Sequence, residues 1–364
     1  MEKTQENTSL LGPLLDPLMM GGLACIFFIG HQIFVSPTES STKLSWIMYY
    51  ASFVINFPHF MASYQLLYSD YKNEILKKKT YIWAAIVCPI LLITILFILI
   101  QKSIASNDPS ILGWAATFMF FSVGHHYVKQ TYGCIMVMSA AKKCFYDNLE
   151  ARVLWLNMYS VWMMSFLSIN RYASTSNKFY GIPYRTFAID NIFSTINYYI
   201  VAITGIIFLA LQVKKYIEKG SVMPFSASMA LIAIYVWYIP ANHHPHYFLM
   251  IPFFHSLQYL LFSTTLAKNK AKDISSQLKD EKEQRKEFLK RITFFLGMTL
   301  LTGFLAWDFI PKTMDKYIET HPLLGVTLFM FCFQIFLNVH HYFIDNVIWR
   351  RDNEQMKKYL RPLN

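Results

Sequence analysis

Charge is what this sequence has least of. Asp, Glu, Lys and Arg make up 15% of its 364 residues, against 54% hydrophobic and 17% aromatic, a balance too poor in charge for a soluble globule of this length. Other patterns are missing as well. The five cysteines (Cys25, Cys88, Cys134, Cys144 and Cys332) are scattered without a CxxC pair, which leaves no disulfide framework, thiolate metal site or covalent haem attachment. No Walker loop, GxGxxG or GxSxG element occurs, and no internal repeat, so nucleotide-driven transport and serine hydrolase chemistry lack support. The apolar runs do not alternate with period two, which argues against a strand-built membrane barrel.

What is present is a series of continuous apolar runs of about 17 to 25 residues, the length at which a helix crosses a bilayer. The sequence predicts an all-α, polytopic integral membrane protein forming a single transmembrane domain over residues 1–364. Its spans fall near 12–35, 44–68, 80–101, 110–139, 150–169, 190–212, 225–240, 247–267, 293–309 and 322–349, about ten transmembrane helices. The first run is too long for a signal-peptide core and is read as retained. Of the Lys and Arg residues on the alternate loops, 25 fall on one side and 7 on the other; basic residues stay in the cytoplasm, so both termini are expected there. The net charge of +11 then marks topology, and no nucleic acid partner is expected. A compact chain without sorting signals favours a bacterial inner membrane. Residues 268–292 mix both signs of charge without Pro or Gly, the pattern of a cytoplasmic charged helical hairpin. Its bland role is a solvated linker and its sharper role a docking site for a redox partner.

Ionisable groups at membrane depth are costly and mark function or internal pairing. The stretch from Gly124 to Gly133, GHHYVKQTYG, breaks an apolar run with His125, His126, Lys129 and Gln130. His59 lies inside the second span, His340 and His341 inside the last, His255 early in the eighth, and His243, His244 and His246 in the NHHPH turn before it. At 1.5 Å per residue, His59, His125, His126, His340 and His341 share one layer, His255 is expected roughly 10 Å higher, and the turn higher still. Asn56, His59 and Ser63 share a helix face, as do Asn338, His341 and Asp345, while His125 stands above Lys129 and His126 above Gln130. These spacings let Asn56, Lys129, Gln130, Asn338 or Asp345 support a metal-bound imidazole from behind.

Imidazoles without carboxylates at that depth suit iron, copper or zinc rather than magnesium or calcium. The patches PHF, GHHYVKQ, NHHPH and NVHHYFID resemble those of the histidine-box polytopic membrane oxygenases, a group that includes lipid desaturases, hydroxylases and bacterial carotene-cleaving dioxygenases. The HxxxH and HxxHH spacings of the desaturases are absent. The resemblance implies a metal-dependent oxidoreductase holding iron, as two ions, and acting on a lipid-soluble substrate drawn from the surrounding lipid. It makes His59, His125, His126, His243, His244, His246, His255, His340 and His341 the candidate ligands. Two alternatives stand beside it: a haem or copper electron-transfer protein, and a proton-coupled transporter using His125, His126, Lys129 and Asp345 as a relay.

Overall fold

The computed structural model describes residues 9–35, 40–69, 75–171, 177–243, 245–350 and 352–360, the side chains of 40–42, 243, 245 and 246 excepted. It is all-helical apart from one two-residue hairpin, β1 (Lys178–Phe179) with β2 (Ile182–Pro183), in antiparallel register. The helices are α1 (Leu15–Phe34), α2 (Ser40–Val54), α3 (Asn56–Tyr68), α4 (Lys79–Ala105), α5 (Ser110–Ala141) and α6 (Asn148–Ile169). They continue as α7 (Asn191–Lys219), α8 (Phe225–His243), α9 (Ile251–Ser275), α10 (Glu281–Tyr317), α11 (Leu328–Ile348) and the short α12 (Glu354–Tyr359).

Five of these are long and apolar enough to cross a membrane: α1, α4, α7, α8 and α10. Helices α4, α7 and α10 are largely turned outward, whereas α8 buries Trp237, Tyr238 and its alanines in the core. On α7, Ile192, Phe193, Tyr199, Ile203, Ile206 and Leu209 all stand exposed, as a lipid-facing surface requires. Helices α3, α5, α9 and α11 carry the imidazoles, amides and hydroxyls and bury them inward, so their low average hydropathy follows from what they enclose.

Chain features account for the bends. Ile55 separates α2 from α3, dividing what the sequence reads as one span. Helix α9 is preceded by a 3-10 turn at Pro245–Leu249 and runs unbroken through the first half of the charged segment to Ser275; α10 takes up the chain again at Glu281. Asp280 caps α10 by accepting from the Glu283 amide at 2.9 Å, as N-cap acids do.

Three π-helical segments lie wholly among the described residues, at Leu18–Gly22 in α1, Trp83–Val87 in α4 and Leu305–Phe309 in α10. A π-turn disturbs the i to i−4 ladder and loosens carbonyls that cannot turn to water in an apolar interior. Each segment has a carbonyl met by a side chain from another helix. Gln258 Nε2 donates to Met20 O at 2.6 Å, His340 Nε2 to Ala84 O at 2.8 Å and Gln334 Nε2 to Trp307 O at 3.5 Å. Tyr68 adds a fourth donation, to Ala85 O at 2.6 Å.

Away from these, α6 and α7 are joined by a buried ion pair, Lys215 to Glu150 at 3.0 Å, with Lys215 Nζ also lying 4.6 Å from the Tyr146 ring centre. At the opposite end Arg185 holds the hairpin to the start of α5 through Asp108 (3.0 Å) and Ser110 (2.9 Å). The Ser110 hydroxyl and amide, followed by Arg185, hold the Asp108 carboxyl below its ordinary value.

Close backbone approach is tightest at two glycines. A Cβ on Gly113 would lie 1.9 Å from Pro183 O, and one on Gly21 2.2 Å from Met229 O, whereas Gly133 and Gly297 face open space. Small residues are what allow such backbone proximity. Gly113→Ala and Gly21→Ala are therefore expected to destabilise the protein by about 1–3 kcal/mol, seen as a lower thermal unfolding midpoint in detergent. Gly297→Ala should leave the midpoint in place.

Candidate metal centre

Four helices bring one side chain each, and α11 a second, to a single point. His59 comes from α3, His126 from α5, His255 from α9, and His341 and Asp345 from α11, all buried. The imidazoles form a closed ring: centroids are 4.7 Å apart for His59 and His341, 4.9 Å for His341 and His126, 5.0 Å for His126 and His255, and 5.3 Å for His255 and His59. All four contacts are edge to face.

Hydrogen bonds behind the ring decide which atoms point into it. His59 Nδ1 lies 2.7 Å from the Asn56 carbonyl, which can only accept, so in neutral His59 this nitrogen carries the proton and Nε2 presents an electron pair. The Ser256 hydroxyl, itself 2.6 Å from Pro252 O, stands 2.8 Å from the same Nδ1. For His341 a chain in which each donor serves once runs from Nδ1–H to Ser63 Oγ (2.9 Å), from Ser63 to Tyr259 Oη (2.6 Å), and from Tyr259 to Asp345 Oδ1 (3.1 Å). Nε2 of His341 then faces inward with its electron pair, beside Oδ2 of Asp345.

That arrangement is unfavourable without a cation. His59 Nε2 and His341 Nε2 are 3.2 Å apart, His341 Nε2 and Asp345 Oδ2 3.3 Å, and His126 Nε2 and Asp345 Oδ2 3.5 Å. Among the described residues, His126 Nε2, both ring nitrogens of His255 and Asp345 Oδ2 have no hydrogen-bond partner. Each such buried orphan costs about 1–3 kcal/mol. Ligands about 2.1 Å from a common ion and separated by tetrahedral or octahedral angles stand about 3.0–3.4 Å from each other. Two of the three separations lie inside that range and the third just beyond it. The ligating atoms of His59, His255 and His341 lie within 4.8 Å of one another, as do those of His126, His341 and Asp345. His341 belongs to both sets, so they describe one centre, and its residues fit a metal ion.

The other predicted residues sort around it. His255 is in the same layer as His59 and His126 rather than roughly 10 Å higher, because α9 starts only at Ile251, below the 3-10 turn. His340 is turned away: Nδ1 meets Tyr64 Oη at 2.7 Å and Nε2 the Ala84 carbonyl. His125 lies outside the ring among Tyr159, Trp162 and Tyr342. Gln130 donates to the His255 carbonyl at 3.1 Å and steadies the backbone that carries that ligand. Lys129 points to Asn346, and Asn338 bonds back along its own helix to Gln334 O at 2.8 Å. Asn56 contributes its carbonyl to His59 and its side-chain oxygen to Ser256, at 2.8 Å. His244 lies outside the described residues, as do the side chains of His243 and His246. Ser256 and Tyr259, one and four residues beyond His255, carry as much of the support as any predicted residue; the i, i+4 spacing of Tyr259 from His255 was the available signal. Comparison with family models, characterised proteins and solved structures found no match.

Two adjacent histidines separate the structural roles. His341→Ala is expected to abolish bound metal in the purified, folded protein, measured by elemental analysis. His340→Ala should keep the metal and lower stability by about 1–3 kcal/mol, since it strands the Ala84 carbonyl and the Tyr64 hydroxyl.

Proposed function

We propose that the protein is a membrane-embedded, iron-dependent oxidoreductase acting on a lipid or isoprenoid. The observation that carries this reading is the convergence of four imidazoles and one carboxylate, with orphaned electron pairs, in a buried interior. Four nitrogens and a carboxylate oxygen exceed the usual four-ligand shell of zinc and suit an ion of higher coordination number. One ion is proposed rather than two, since His341 is common to both ligand sets. When bound, iron supplies redox chemistry able to activate oxygen towards an unactivated carbon chain. The chain's own part is to fix the ligands from behind through Asn56, Ser256 and Ser63, to orient Asp345 through the Tyr259 hydroxyl, and to keep bulk water away.

Ten crossings with both termini cytoplasmic are part of the same reading. They are supported by the 25-to-7 division of basic residues and by the polarity of the remaining long helices, which is turned inward. A bacterial inner membrane is the proposed location. The α9–α10 hairpin would then extend into the cytoplasm, where a reductase could dock. A haem is disfavoured by space: edge-to-face imidazoles with centroids 4.7 to 5.3 Å apart leave no gap for a macrocycle between axial ligands. A proton relay loses its lysine, because Lys129 turns to Asn346.

The experiment is anaerobic, chelator-free purification with elemental analysis, followed by exposure to labelled dioxygen, a reductant and extracted membrane lipid. About one iron per chain and label or unsaturation in a lipid product are expected, both lost in His126→Ala. A well-folded protein without iron would overturn the proposal.

A further inference from the structure

The lateral face beside the metal centre carries a charge that the centre does not use. Lys129 is exposed on the same face of α5 as His125, one turn away. Its ammonium bonds to Asn346 of α11 and lies 5.9 Å from the centre of the Tyr342 ring. Among the described residues no carboxylate forms an ion pair with it. Asn346 sits two residues before the end of α11, and Arg350 follows just beyond that end. A lysine on a lipid-facing surface is costly unless its stem reaches the head-group layer and an anion meets it. Here the amide and the aromatic face are already arranged around it, while Arg350 is held by Asp352 at 3.1 Å.

Tyr342 connects this column to the chemistry. Its ring centre is 5.9 Å from that of His126 on one side and 5.9 Å from that of His125 on another. It is the wall between the lipid-facing column and the ring of ligands. We infer that Lys129 and Asn346 form a binding site for the phosphate of an anionic membrane phospholipid, with an acyl chain lying past His125 and Tyr342 towards the metal centre. The phospholipid is favoured over a free fatty acid because Asn346 stands two residues from the end of α11, where the reading of ten crossings places the phosphate-rich head-group layer. That the bound lipid is also the substrate rests on the proposed function; that it binds does not.

The test uses the full chain reconstituted in phosphatidylcholine vesicles, with spin-labelled phosphatidylglycerol, phosphatidylcholine and stearate as separate probes. The protein is expected to immobilise phosphatidylglycerol about fivefold more than phosphatidylcholine, the effect of one lysine near the head groups. Lys129→Gln should bring the two to parity while iron content stays unchanged, and Lys129→Arg should keep the preference. Lys290→Gln, an exposed lysine of α10, should change nothing. A preference that survives Lys129→Gln overturns the site, and a Lys129-dependent preference for stearate alone overturns the phospholipid assignment. If His341→Ala keeps its metal while the phosphatidylglycerol result holds, the metal-centre reading fails and the lipid site stands.

Discussion

Electron pairs from His59, His126, His255, His341 and Asp345 meet in an interior where water does not relieve them. Most of the surrounding architecture follows from that constraint. With the outer nitrogens of His59 and His341 protonated, the atoms that face one another at 3.2 and 3.3 Å present electron pairs, which a cation among them relieves. For His59 and His341 the outer nitrogen is fixed by groups behind the ring. Asn56, Ser63 and Ser256 do this, and each sits within one turn of a ligand on α3 or α9. The site is therefore built from helix faces rather than from loops, which gives it the rigidity that a buried centre needs.

The polar groups that do not face the centre serve the same end by another route. Gln258, Gln334 and His340 each satisfy a carbonyl in a π-helical segment, so three irregular turns can exist without stranded backbone groups. The turn at Trp83–Val87 shows the coupling best. His340 reaches out to it, while its sequence neighbour His341 reaches into the ring. Adjacent residues on a helix point about 100° apart, and α11 uses that angle to join the metal centre to the outer helix α4.

Much of this was legible in the sequence because apolar runs and intramembrane polar residues are strong signals. The helical class, the placement of His59, His126 and His341 in one layer, and the shared face of Asn56, His59 and Ser63 all follow from length and a 3.6-residue period. What was not legible depends on how helices start and turn relative to one another. His255 joins the ring because α9 begins after a 3-10 turn, a boundary that hydropathy does not mark. His340 leaves it because of a π-segment some 250 residues away, and the period of α11 alone cannot say which of two adjacent histidines faces inward. Asn338 shares a face with His341 but lies a turn too far along and bonds to its own helix instead.

The central claim, one ion held by four imidazoles and one carboxylate, is tested most directly by X-ray absorption at the metal edge of the purified protein. The account expects an iron edge with five or six nitrogen and oxygen neighbours near about 2.1 Å and outer-shell scattering from four imidazole rings. Sulfur neighbours, a metal–metal vector, or scattering from fewer than three rings would contradict it.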